Sequence, residues 1–328
     1  MNAVIIHMGK NYSDYITDCI DQFFIFNRES ILYFLVDNDF SQVKLLQKKY
    51  KNLKVVLTNT LKKSFNHRFF LLFNRNAYKT WRSGFWRYTI ERFFTLDDFL
   101  RLTGEENILH FECDNLIYEN ITRHKDAFIA KNKLGLLLDT AKRCIPSVVF
   151  IPKRKDISKF CSFYNIYYTL APYKNALKSN DMISLGYYWK KKRNQCFSLP
   201  MTLPEYGKVK NIDSIYYQEY SNIKSLFDAA AYGQYVGGLD QRYEEKKTDT
   251  TGFINEACPF NPNEIPLVWT KNDEDLCIPF IEFPKNTYTP LFNLHIHSKE
   301  LVKFKSTNTD LLKGTSKNSD KKSKKCYT

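Results

Sequence analysis

Four short apolar runs in the first 120 residues, separated by helix-patterned segments, constrain this chain more than any other feature. Ala3–Met8, Ile31–Val36, Leu53–Leu57 and Ile108–Phe111 are apolar almost throughout rather than alternating. Strands of that kind are covered on both faces. Between them, helical patterns run from about Ser13 to Phe26, Ser41 to Tyr50 and Trp86 to Leu102. Ser13 is a candidate N-cap, and Val43, Leu46 and Tyr50 share one face. Strands alternating with helices predict an α/β fold with a mainly parallel sheet flanked by helices. Right-handed crossovers then gather the carboxyl ends of the strands along one edge, where open α/β sheets bind ligands.

The second half is less regular. Ser147–Ile151 reads as a strand, and Lys155–Tyr164 and Asn180–Lys191 as helices. Phe227–Tyr235 reads as a helix stopped by Gly237-Gly238. Pro-rich stretches follow at 259–266 and 279–290, then a short strand over Phe292–His297 and a helix from near Ser298. From Thr307 onward no apolar period survives. The pattern therefore divides into a regular α/β half (1–120), a less regular half of the same domain (121–305) and a disordered basic tail (306–328).

The 328 residues carry a net charge of +14. Six Lys against two Asp place +4 of it in the tail from Ser306. The remainder suits an anionic substrate, an acidic membrane surface or nucleic acid. The eight Cys include no C-x-x-C pair, which points to free thiols in a reducing compartment. The N-terminal run is too short for a signal peptide, and no run approaches the length of a membrane span. A soluble, cytoplasmic protein is the expectation, in a host's cytoplasm if the source is viral.

The chemistry-bearing residues cluster at a few places. After the fourth strand come Glu112 and Asp114, which at i and i+2 point the same way. Two close carboxylates repel each other unless a cation lies between them, and a divalent ion carrying a diphosphate suits that place. The first strand ends in His7 and a turn at Gly9, which either serves only the turn or admits a nucleotide base and ribose. Asp37, after the second strand, either bonds the base or ribose or forms an Asx turn. Arg87, near the start of the long helix, is a better candidate than Arg92 for a phosphate or for pairing with the acidic motif. Late in the chain His295 and His297 share a face, with Lys299 within reach. One His would complete a metal site and Lys299 would meet a diphosphate, unless the two are polar residues of an edge strand. Asp228 lies among small residues before Gly237 and Gly238, where the backbone permits close approach of a ligand. It is either a helix N-cap or a general base, with Asp240, Glu256 and Asp181 as weaker alternatives for the base.

These segments, FWRYTIERFF, HFECDN, FDAAAYGQYVGGLDQR and LFNLHIHSK, resemble the GT-A fold of glycosyltransferases over about residues 1–300. The set is most similar to uncharacterised bacterial and giant-virus members. The resemblance implies a Rossmann-type sheet with an irregular acceptor side, and Glu112 and Asp114 in the place of the D-x-D motif. It implies Mn2+ or Mg2+ held by Asp114, Glu112 and a late His. It implies a nucleotide-diphosphate sugar as donor and a glycan, glycolipid or protein as acceptor. The chain departs from the family in carrying Glu first in that motif and in lacking H-x-x-G-x-x-K-P-W, so the choice between His295 and His297 stays open. The basic tail is a candidate membrane contact. Two other readings stand beside this one: a nucleotidyltransferase, which lacks its Gly-rich loop here, and a non-catalytic polyanion- or RNA-binding protein on a degenerate transferase fold. Nucleic acid is the less expected partner, because the aromatics fall in apolar helical patterns.

Overall fold

A computed structural model describes residues 1–73, 85–169, 180–240 and 250–314. The chain forms two compact units, interleaved in sequence. The first takes Met1–Tyr12, Glu29–Glu112 and Ile121–Ser198, and the second takes 13–28, 113–120 and the residues from 199 onward. Where the sequence pattern suggests a single cut at residue 120, the contacts draw an interleaved division.

The first unit is a mixed α/β layer built on a seven-stranded sheet. Its order is Cys196–Ser198, Leu134–Leu136, Val148–Ile151, Ile108–Phe111, Ala3–His7, Leu32–Val36 and Leu53–Leu57. The last four of these are mutually parallel, with Ala3 opposite both Leu32 and Leu109. Val148–Ile151 runs antiparallel to both of its neighbours. All four apolar runs of the sequence are strands, displaced by no more than one residue at either end, because each is buried and β-branched or aromatic enough to be read locally. The long helix, Phe85–Thr103, buries every residue from Ile90 to Leu100. Aromatic pairs fill the layers: Phe70 stacks on Phe94 at 4.5 Å and Phe128 on Phe150 at 4.9 Å. Because the first two strands and Ile108–Phe111 run the same way, Gly9, Asp37 and Glu112 follow them at the same edge of the sheet.

In the second unit, the helix Asp14–Phe26 packs its buried Gln22 against the strand Asn115–Ile117. The Gln22 amide donates to the Ile117 carbonyl at 3.2 Å. That strand pairs antiparallel with Asn293–His295, so that His295 faces Asn115. A three-stranded antiparallel sheet, Leu267–Lys271, Cys277–Phe283 and Thr287–Pro290, occupies the region that reads as Pro-rich and irregular. Cys277–Phe283 alternates buried and half-buried positions throughout, a strand period hidden by Pro279 in its middle. Pro279 needs no N–H here; its carbonyl accepts the Leu291 N–H at 3.0 Å.

Two helix expectations are corrected. The segment read as Phe227–Tyr235 becomes helical only over Tyr232–Gly237. Asp228 takes up the N–H groups of Ala231, Tyr232 and Gly233, which fixes the helix start at Tyr232. The helix read from near Ser298 is a 3-10 turn over Leu301–Phe304. Within the expected tail, Ser306 is buried against Gln22 and Thr309–Gly314 forms a 3-10 turn, while residues 315–328 lie outside the described residues. Among the described residues, no helix is long and apolar enough to cross a membrane.

Candidate active site

The expected site residues fall into two groups, one in each unit. In the first unit, the loop after Ala3–His7 is tied to the loop after Leu32–Val36. The Gly9 N–H donates to Asp37 Oδ2 at 2.9 Å, and the Asn38 amide bridges the Gly9 carbonyl and Asp37 Oδ1, each at 2.9 Å. Gly9 has φ of +153°, a conformation that L side chains rarely adopt. His7 packs on Phe40 at 5.7 Å and reaches the Asn11 carbonyl at 2.9 Å. Burial lowers its pKa, against the opposing pull of Asn11 and Asp37, so the ring is neutral near pH 7. His7, Gly9 and Asp37 thus form one assembled turn pair.

Farther along that edge, Arg92 forms ion pairs with both Glu112 and Asp181. The sequence analysis favours Arg87 for pairing with the acidic motif. The pairing instead falls to Arg92, because Arg92 lies on the buried stretch of its helix. Arg87 is one turn from the helix start and bonds Glu91 at 3.1 Å. Asp181 starts the helix Asp181–Lys191, capped by Asn180 accepting the Ile183 N–H at 2.9 Å. His110 projects beside Arg92; its Nδ1 donates to the Val4 carbonyl at 3.0 Å. Burial, and then the Arg92 charge, depress its pKa to about 3, so it stays neutral. Its Nε2 is buried with no hydrogen-bond partner among the described residues. Sequence reading missed His110, although a lone polar residue inside an apolar strand is a readable signal.

In the second unit, Asp114 is the centre. Its Oδ2 meets the Lys299 ammonium and lies 3.3 Å from His295 Nε2. Burial would raise this carboxyl, but Lys299, His295 and His297 outweigh it and hold it well below the usual range. His295 Nδ1 lies 2.7 Å from the Ala229 carbonyl, which accepts only a donor, so that nitrogen carries the proton. Its Nε2 faces a carboxylate oxygen. Two lone pairs 3.3 Å apart call for a proton or a cation between them. His297 stacks at 4.3 Å from the His295 ring and contacts the Gln234 amide at 3.0 Å. Burial, His295 and Lys299 push its pKa well below the ordinary value, so it is a neutral imidazole. Both Gln234 Oε1 and Ser298 Oγ are buried without hydrogen-bond partners among the described residues. This donor set of ionised carboxylate, imidazoles and buried oxygens suits a divalent cation.

Asp228 is buried, and its two oxygens accept four backbone N–H groups, from Ala231, Tyr232, Gly233 and His295, at 2.7 to 3.1 Å. Burial raises its pKa and those bonds oppose the rise. Asn293 locks the same corner, donating to Asn115 Oδ1 at 2.7 Å and to the Asp228 carbonyl at 3.0 Å. Gly237 lies against Ile296 and Ser298, and Gly238, with φ of +75°, closes the helix through its N–H to Gln234. Asp240 is buried and Glu256 exposed. Glu112 ends its segment of the first unit with its N–H on the Ser147 carbonyl at 3.0 Å. Only Cys113 separates it from Asp114 along the chain.

No protein-family description and no curated protein matches the chain. Solved structures do match, among them several described as glycosyltransferases. The chain is similar to the glycosyltransferase GlyE of Streptococcus pneumoniae TIGR4, with 14% identity and a TM-score of 0.39 over 66% of this chain and 51% of that one. It is similar to mouse xyloside xylosyltransferase 1, with 10% identity and a TM-score of 0.42 over 67% and 92%. It is similar to the galactosyltransferase LgtC, crystallised with donor and acceptor sugar analogues, with 13% identity and a TM-score of 0.42 over 61% and 73%. The match thus spans about half the length of the GlyE chain.

Proposed function

We propose that the chain is a metal-dependent glycosyltransferase using a nucleotide-diphosphate sugar as donor and a glycan, glycolipid or protein as acceptor. The observation that carries this reading is the convergence of Asp114, His295, His297 and Lys299. A buried carboxylate held ionised faces an imidazole Nε2 at 3.3 Å there, and an ammonium lies on the same oxygen. Asp114 and His295 would hold Mn2+ or Mg2+, with Glu112 as the expected further carboxylate and His297 as the adjacent imidazole. The ion, when bound, would supply positive charge to the leaving diphosphate. Lys299 adds a second positive charge at that place. The Ala229 carbonyl orients His295 by accepting the hydrogen bond of its Nδ1–H, and Asp228 anchors the His295 backbone. The four N–H groups on Asp228 favour this positioning role over that of a base. His7, Gly9 and Asp37 are proposed for the base and ribose, Arg87 for a phosphate, and Gly237 and Gly238 for close approach of the donor. A cytoplasmic location belongs to the same proposal.

A thermal-shift screen of UDP-, GDP-, CMP- and dTDP-sugars, with and without Mn2+, tests the reading. A ligand at 100 times its Kd stabilises a fold by about 2.7 kcal/mol. A manganese-dependent shift with one nucleotide, lost in Asp114→Ala, is the expected result. The absence of any shift with a folded protein would overturn it in favour of the non-catalytic reading.

A further inference from the structure

The helix Phe65–Phe73 and the helical turn Asn165–Thr169 expose large apolar side chains side by side. Phe65 is 73% exposed, Leu72 69%, Phe73 55% and Ile166 58%. Single exposed apolar residues are ordinary on a soluble protein, but a contiguous group marks a contact face. Here the group is contiguous. Asn66 donates to Ser162 Oγ at 2.8 Å, and Asn165 donates to the Asn66 carbonyl at 2.9 Å, which sews the two elements together. Phe65, Phe69 and Phe73 run along one helix face with ring separations of 6.2 and 4.5 Å.

A groove of about 860 Å3 adjoins this patch, and Ile166, Tyr167 and Ser162 belong to its wall. Its remaining wall is strongly basic, with Glu106 the one acid. Arg154 is held by Asp97 at 2.9 Å and Lys159 by Asp156 at 3.4 Å. Lys153, Lys155 and Lys192 have no ion-pair partner among the described residues. Ile151 pairs with Ile108, so Lys153 leaves the sheet at the edge opposite to Glu112.

We infer that this face of the first unit docks on an anionic phospholipid bilayer. Phe65, Leu72, Phe73 and Ile166 enter the headgroup region, and Lys153, Lys155 and Lys192 meet lipid phosphates and carboxylates. Apolar side chains bordered by lysines are the pairing that interfacial binding requires. A free phosphate would use the lysines and leave the four apolar groups in water. A nucleic acid would stack on the aromatic rings but would not cover Leu72 and Ile166.

The test is flotation of the full-length protein with vesicles of phosphatidylcholine alone and of phosphatidylcholine with phosphatidylserine. Binding only to the serine-containing vesicles, weakened by salt, is expected. Changing Lys153, Lys155 and Lys192 to Gln should lower affinity about fivefold per lysine. Phe65→Ser with Leu72→Ser should also release the protein, with its Tm unchanged because both side chains are exposed. A full-length variant with Lys321, Lys322, Lys324 and Lys325 changed to Gln should still bind. Four results would overturn the inference: no binding to anionic vesicles, binding that survives both the lysine and the apolar changes, binding lost only in the tail variant, or binding abolished by inorganic phosphate but not by chloride at equal ionic strength.

Discussion

Lys299 is held with φ of +67°, in the left-handed region that a residue with a Cβ rarely occupies. Its N–H bonds the Ile296 carbonyl at 3.2 Å, and its ammonium lies on Asp114 and 5.8 Å from the Tyr15 ring centre. Lys299→Gly and Lys299→Ala should therefore differ. Both lose the ammonium, but Gly relieves the backbone and should be the more stable by about 1 kcal/mol in urea unfolding. Both should lose donor binding alike. Arg92→Met would leave Glu112 and Asp181 without their cation and should cost about 3–5 kcal/mol in the same assay. Adding Asp181→Leu should recover part of it. His67 carries a pH signature. Burial lowers its pKa, but hydrogen bonds and charges from Asp98, at 2.6 Å, and Glu91 outweigh burial and raise it. A raised folded pKa means that the stabilisation is complete below the unfolded value of about 6.5 and disappears as pH rises through the folded value. The stability difference between wild type and His67→Gln should be largest near pH 5 and shrink above neutrality; a difference independent of pH would contradict it. At this scale Asp114, His295 and Lys299 were legible in the sequence, because the acids and imidazoles sit at i and i+2 in short motifs. The pairing with Glu112 falls to Arg92 rather than Arg87 because charge spacing does not tell which turn of a helix is buried.

At the scale of elements, the apolar strands and the long helices were legible because their patterns are local. The helix start at Tyr232 was not. It depends on one carboxylate accepting three successive N–H groups, a geometry that propensity cannot see. Asp228→Ala would strand those donors and that of His295 in a buried corner, and should destabilise the protein by at least about 2 kcal/mol. Asp228→Asn keeps one acceptor oxygen and should fall between the two in a thermal melt. If Asn were as stable as wild type but inactive, the base role would regain support over the positioning one. The helix Asp181–Lys191 shows a close packing that composition cannot report. A Cβ on Gly186 would lie 2.0 Å from the Lys142 carbonyl oxygen. Gly186→Ala should lift that helix from Arg143–Cys144 and cost about 1–3 kcal/mol or more. The antiparallel sheet from Leu267 to Pro290 was missed for the opposite reason. Its two-residue period is present, but Pro279 argues against a central strand unless its carbonyl alone is needed.

At the scale of the molecule, the interleaving of the two units has a direct consequence. The sheet of the first unit needs Leu134–Leu136, Val148–Ile151 and Cys196–Ser198, while residues 13–28 and 113–120 cluster with the chain beyond 198. A fragment of residues 1–120 should therefore show no cooperative transition in urea followed by circular dichroism, although it holds all four of the first apolar strands. The sequence by itself determined the first four strands and the long helices, and it singled out the side chains that are candidates for metal and phosphate chemistry. Both depend on periodicity and functional groups within a few residues of one another. Only the tertiary structure decided the pairings: Lys299 with Asp114 across 185 residues, His295 oriented by Ala229, and Arg92 between Glu112 and Asp181. Those contacts are formed by the closure of long loops and the burial of charge, and local spacing carries no record of either.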